Sequence, residues 1–163
     1  MTEAVVLDQQ TTREDLKLQL SRVIPAERKR VFDAWTRPEL MAQWFAPGTV
    51  NKSVTADLRP GGEYRIDAVG ASCDPNADPS QGPSAIQIVG VYQEVVPDER
   101  ISFTWRGSRF PDEHTLVTVA FKDAPEGTEV TITHEHFSTA EAVQQHQRGW
   151  EGCLTSLENF LTK

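Results

Sequence analysis

Three sets of residues carry the chemistry that this sequence could perform. Asp57, Arg59, Glu63 and Arg65 place two acids and two bases around the turn Arg59-Pro60-Gly61-Gly62, a set that would suit general acid–base work inside a cleft. Strand alternation groups Asp57 with Arg59 and Glu63 with Arg65, so cross-strand ion pairs on a solvent face account for them without catalysis. His134 and His136 share one face of a strand-like run, and the turn near 123–127 brings His114 roughly opposite. Three imidazoles on one patch can hold zinc. A structural zinc takes four protein ligands, however, and no Cys or well-placed carboxylate completes this shell, so no metal is expected. A register slip of one residue would also move His114 to the other face. The third set is aromatic: Trp35, Trp44, Trp105 and Trp150 come from four separate stretches. Such rings line small-molecule pockets and also fill ordinary cores, and Trp35 is assigned to the core. There is no GxSxG elbow, glycine-rich phosphate loop or HExxH, and no cofactor is implied.

The elements that must position these residues follow from periodicity. Residues 1–14 are polar and aperiodic and read as a loose arm ahead of one domain over 15–163. Leu16, Leu18 and Leu20 alternate with Lys17 and Gln19 as a half-buried first strand. Pro25 fits the first position of a short helix whose apolar stripe is Val31, Phe32 and Trp35. Thr36 with Glu39 repeats a helix-start signal before Leu40, Met41, Trp44 and Phe45. From there to Phe137 the period is two, with runs at 51–58, 63–69, 85–95, 100–105, 115–122 and 128–137. Arg59 to Gly62 has the pattern of a type II turn, and the other connections are short enough to demand antiparallel pairing. The exception is the Pro/Gly/Ser-rich stretch 70–84, which is expected to be a mobile loop. Ser138 with Glu141 opens a last helix whose apolar face is Val143, Trp150, Cys153, Leu154, Leu157 and Leu161. Gly149, just before Trp150, is expected to let ring and backbone approach closely.

Composition narrows the function classes. The chain has 163 residues and is 38% hydrophobic, enough for one sizeable core and too little for a second domain. Its 24 acidic and 16 basic residues give a net charge of −8 with no Lys/Arg run, which argues against nucleic acid. No apolar run is long enough to span a membrane and the first residues lack a secretory pattern, so a cytoplasmic location is expected. Two cysteines, Cys73 and Cys153, are read as free thiols.

Strand, two short helices, a six-strand meander and a long terminal helix make an α+β arrangement in the order of the helix-grip fold. That fold is a curved antiparallel seven-stranded sheet wrapped around a long C-terminal helix, with two short helices between the first and second strands. The stretches FDAWTRPELMAQWFAP, DLRPGGEYR and GWEGCLTSLENFL, with GVYQEVVPDERISFTW and GTEVTITHEHF between them, resemble the SRPBCC or START-like superfamily. Within it they are similar to the activator of heat-shock-protein ATPase homologue group. The resemblance runs from about Leu16 to Leu161. It implies a cavity between sheet and helix with Trp44 and Phe45 at its mouth, before Pro47-Gly48. It also puts His134 where a histidine is often found, and His136 at a position commonly held by glycine.

Fold alone does not select a function within so varied a superfamily. The expected function is binding of a small, largely apolar molecule. Alternation and the resemblance nominate Trp44, Phe45, Tyr64, Ile66, Ile88, Tyr92, Phe103, Trp105, Val117, Val119, His134 and Trp150 as contacts. An enzyme reading needs His134 or Tyr92 as the acid or base of a cyclase, dehydratase or hydrolase working on a polyketide-like substrate, and no catalytic motif demonstrates one. A chaperone-ATPase regulating module is the third reading. Homodimer formation is left open by the sequence.

Overall fold

The structure is a computed structural model, and it describes residues 16–45, 49–70, 84–108 and 114–162. Strand β1 (Leu18–Ile24) is followed by helices α1 (Arg28–Thr36) and α2 (Pro38–Trp44). Six strands come next: β2 (Thr49–Ala56), β3 (Glu63–Gly70), β4 (Ser84–Val96), β5 (Arg100–Gly107), β6 (Thr115–Ala124) and β7 (Gly127–Glu135). Helix α3 (Ala140–Leu161) closes the chain. All pairings are antiparallel, in the order β1-β7-β6-β5-β4-β3-β2. This is the helix-grip arrangement. The expected arm and the stretch 71–83 lie outside the described residues, as does Cys73. Among the described helices none is long and apolar enough to cross a membrane.

The meander forms because each connection is a turn whose chemistry suits it. Gly61 has φ +86° and Gly62 donates its N–H to the Arg59 carbonyl at 2.8 Å, which is the type II turn that Pro60-Gly61 encodes. Asp98, in the β4–β5 turn, also takes a left-handed φ of +62°. Alternation along the strands then buries Tyr64, Ile66, Ile88, Tyr92, Ile101, Phe103, Trp105, Val117, Val119, Val130 and Ile132 on one face. Helix α3 lays Trp150, Cys153, Leu154, Leu157 and Leu161 against the same interior. Each fully buried large side chain contributes about 1.5–3 kcal/mol of transfer free energy, so this layer dominates the stability.

Several element starts differ from the sequence reading, each for a local reason. Pro25 does not open α1, which begins at Arg28 after an extended Glu27. Thr128 donates its hydroxyl to the Ala26 carbonyl at 2.8 Å, so residues 24–26 are tied to β7 instead of coiling. Thr36 is the last residue of α1 and donates back to the Phe32 carbonyl at 2.9 Å. Pro38 forces the preceding Arg37 into the extended region, and the break between helices therefore falls at Arg37. Thr139, not Ser138, caps α3, accepting from the Ala142 N–H at 3.1 Å. Glu141 thus lies in the first turn, where it complements the helix dipole. The run expected to reach residue 137 stops at Glu135, because His136 turns out of the ladder with φ +75°.

The charged hairpin is a wet surface whose pairing runs along the strands. Arg59 meets Asp57 at 2.7 Å, and Arg65 meets Asp67 rather than Glu63, with Nε to Oδ2 at 2.7 Å. Hydrogen bonding from Arg65 lowers the Asp67 pKa, with Gln87 adding to it. Since these side chains are exposed, such pairs contribute little to stability.

Candidate functional site

The interior between the sheet and α3 is threaded by a chain of hydrogen bonds. His134 on β7 is fully buried and faces inward. Trp150 on α3 donates its indole N–H to His134 Nδ1 at 3.0 Å. That acceptor role fixes the tautomer, since the ring's proton must then sit on Nε2. Nε2 donates to Thr115 Oγ1 at 2.7 Å, and the Thr115 hydroxyl donates in turn to the Trp105 carbonyl at 2.9 Å. Helix, β7, β6 and β5 are therefore joined by one polar thread through an apolar layer. His146 stands beside it with ring centroids 5.0 Å apart, and a 2.7 Å contact to the Ala142 carbonyl makes its Nδ1 a donor.

Burial pushes the His134 pKa well below the ordinary histidine value, and the neighbouring His146 adds to the effect. The sign of the pH dependence follows. Below the unfolded histidine pKa of about 6.5 the unfolded chain takes up a proton that folded His134 refuses, so stability falls as pH drops from there toward the depressed folded pKa. Above that window this residue contributes no slope. We expect urea melts at a series of pH values to lose up to about 1.4 kcal/mol per pH unit from this one group, the limit for a single proton. His134→Gln should remove that share of the slope. An unchanged slope in the variant would show that other groups set the acid limit.

Around the thread lies a continuous aromatic cluster. Trp35 packs edge-on against Trp44 at 4.9 Å, Trp105 meets Trp150 at 5.0 Å, and Phe45 touches both Trp105 and Trp150 at 6.0 Å. Tyr64, Tyr92 and Phe103 form a second knot with centroids 5.2 to 6.0 Å apart. Both tyrosines stay protonated at neutral pH: burial raises Tyr64 well above its ordinary value and pushes Tyr92 up to about 12. The Tyr64 hydroxyl donates to the Thr104 carbonyl at 2.6 Å.

All twelve nominated contacts are buried, and six of them enclose one small void. Phe45, Tyr64, Ile66, Tyr92, Phe103 and Trp105 line it together with Trp35, which the sequence assigns to the core, and Met41, which it places on the apolar face of the second helix. Alternation could not find these two, because they come from the helices that cap the sheet. Trp44, Ile88, Val117, Val119, His134 and Trp150 stand outside the lining. Trp44 is a packing residue whose indole N–H is satisfied by the Ala34 carbonyl at 2.9 Å. The void measures about 10 Å³, room for about one water, so among the described residues this part of the interior is closed. Two buried side-chain donors among the described residues have no partner, Trp35 Nε1 and Trp105 Nε1. Both belong to rings that line the void.

The three-histidine patch does not exist. His134 points inside, whereas His114 and His136 lie along a groove on the outer face of the sheet. The left-handed turn at His136 ends the alternation that would have put it beside His134. Among the described residues no group of three His, Cys, Asp or Glu side chains could hold a metal.

Comparisons with known proteins agree with this fold. Residues 25–162 match the family model described as activator of Hsp90 ATPase homolog 1-like protein. No curated protein matches the sequence. Among solved structures, CV1439 from Chromobacterium violaceum superposes with a TM-score of 0.75 at 24% identity, over 91% of this chain and 98% of that one. An AHSA1-like protein from Aeromonas hydrophila gives 0.72 at 24% identity, over 90% and 92%. DynU16, a protein in the dynemicin biosynthetic locus, gives 0.69 at 20% identity, covering 91% of this chain and 48% of that one. At such identities these likenesses establish the fold, while the family match spans most of the sequence. The chain is a helix-grip domain and belongs to the activator of Hsp90 ATPase homolog 1-like family.

Proposed function

We propose that the aromatic interior binds a small, largely apolar molecule that carries a hydrogen-bond acceptor. The observation that carries this reading is the pair of buried, unpartnered indole N–H groups of Trp35 and Trp105 on the walls of one void. Buried donors without partners are rare, and a carbonyl or ether oxygen of a ligand would satisfy them. The closed void opens if the unbranched, adaptable Met41 and the neighbouring Phe45 swing aside, both on or just after α2. Binding is favoured over catalysis because both nominated acid–base groups are poorly placed for it. His134 has both ring nitrogens committed, and Tyr92 holds its proton too tightly to act as a base near neutrality.

Fluorescence titration with 2-acetylnaphthalene and with naphthalene tests the reading. The ketone should bind more tightly by about five- to tenfold, the share of one net hydrogen bond, and W35F together with W105F should abolish that preference. Equal binding of both probes, or of neither, sinks the proposal. Native mass spectrometry of freshly purified protein would then identify the natural occupant.

A further inference from the structure

A second concavity, about 770 Å³, opens on the outer face of the sheet, with the buried Tyr64, Trp105 and Thr115 beneath it. Register explains its chemistry. Thr55 pairs with Arg65, Arg65 with Val89, and Val89 with Arg106. Trp105 pairs with Thr115, the last pair of that ladder, and the next residue on each side, Arg106 and His114, lines the groove. A single row across the four strands β2 to β5 thus presents Thr55, Arg65, Val89 and Arg106, and His114 stands at its end, just before β6. The adjacent row supplies half-buried Val91 and Leu116, which give the groove an apolar floor. His136 lies along the same groove.

The charges of this row are unevenly committed. Arg22, Arg28, Arg37, Arg59, Arg65 and Arg100 all have carboxylate partners. The exposed Arg106 guanidinium has neither ion pair nor hydrogen bond among the described residues. Among the described residues Glu63 is the sole carboxylate on the lining, and it sits on β3, with β4 between it and Arg106. A free guanidinium beside an imidazole and over an apolar floor, in a chain whose net charge is −8, is an arrangement complementary to an anion with an apolar body.

We propose that this outer groove binds a small organic anion, a ring or short chain ending in a carboxylate, with its apolar part over Val89 and Leu116 and its charge against Arg106 and His114. The volume fits a ligand of that class. The groove opens on the outer face and shares only Tyr64 and Trp105 with the lining of the interior void; it would select by charge, whereas the proposed interior site would select a neutral acceptor.

An NMR titration of the labelled protein with 2-naphthoate, and with 2-naphthalenemethanol as the neutral comparator, decides the matter. We expect naphthoate to perturb the amides of Val89, Arg106 and Leu116 and to bind more tightly than the alcohol. R106Q should weaken naphthoate at least tenfold, R106K should restore part of the loss, and 2-acetylnaphthalene binding inside should be unchanged in both. Arg106 is exposed, so its replacement leaves the core intact, and the unchanged ketone titration verifies this. Equal affinity for acid and alcohol, unchanged affinity in R106Q, perturbations confined to the interior aromatics, or no saturation up to about 5 mM would each overturn the proposal. So would tighter binding of an acidic hexapeptide, which would make the groove a peptide surface.

Discussion

Trp150→Ala is expected to lower the unfolding free energy by about 3–5 kcal/mol, the range for deleting a large buried aromatic. Trp150 is 3% exposed and meets Trp35, Phe45, Trp105 and His134. It stands behind the void's wall rather than on it, so its surface is packed against protein and little of the cost is spared. The substitution also strips His134 Nδ1 of its donor in a place that water does not reach. Trp150→Phe separates the two contributions: the ring remains, the N–H goes, and the expected loss is about 1–3 kcal/mol for an unsatisfied buried acceptor. Urea denaturation of both variants measures each part. If phenylalanine proved as stable as tryptophan, the thread from α3 to β5 would have no energetic weight.

Gly90→Ala should cost about 3 kcal/mol, the upper end for forcing atoms into a packed core. Gly90 faces inward on β4 opposite Tyr64, and a Cβ there would collide with the Thr104 carbonyl oxygen and the Tyr64 ring. The strands meet so closely here that the Val91 N–H bonds to the Thr104 hydroxyl at 2.8 Å. Tyr64 would have to leave its bond to the Thr104 carbonyl, and the second aromatic knot would loosen with it. Gly149 is the contrasting case, because nothing lies within 4 Å of where its Cβ would be, against the close approach expected from the sequence. Gly149→Ala should stabilise the protein by about 0.5–1 kcal/mol through helix propensity alone. Thermal melts of the two variants should move in opposite directions, and movement in the same direction would mean that β4 is misplaced.

Which features were legible in the sequence depended on whether the signal was periodic. The sheet could be read because alternation repeats over many residues, as from Val117 to Phe121, and because Pro60-Gly61 can make few other turns. The inward face followed from the same alternation, so the nominated residues are buried as a set. Helix starts were less legible because several oxygens compete for one cap: Ser138 and Thr139 differ only in how the chain leaves β7. The histidines were misgrouped for a related reason, since parity ends where φ turns positive, at His136. Nothing periodic could reveal that the void between Trp35, Met41, Phe45 and the second aromatic knot is the size of one water. That depends on how Trp35 and Met41 lean in from the helices, a matter of packing across elements that are distant in sequence.

The place of β1 bears on how the protein is made. Its partner is β7, with Leu18 opposite His134 and Ile24 opposite Thr128, and the whole meander intervenes between the two. During synthesis β1 emerges early and waits with its hydrogen-bonding edge unmet until nearly all the chain is available. Pairings so distant along the chain are slow to form, and an unmet edge is the surface on which strands of other molecules add. Slow closure of β1 onto β7 should therefore set the folding rate, and crowding of nascent chains should trap this protein at that step.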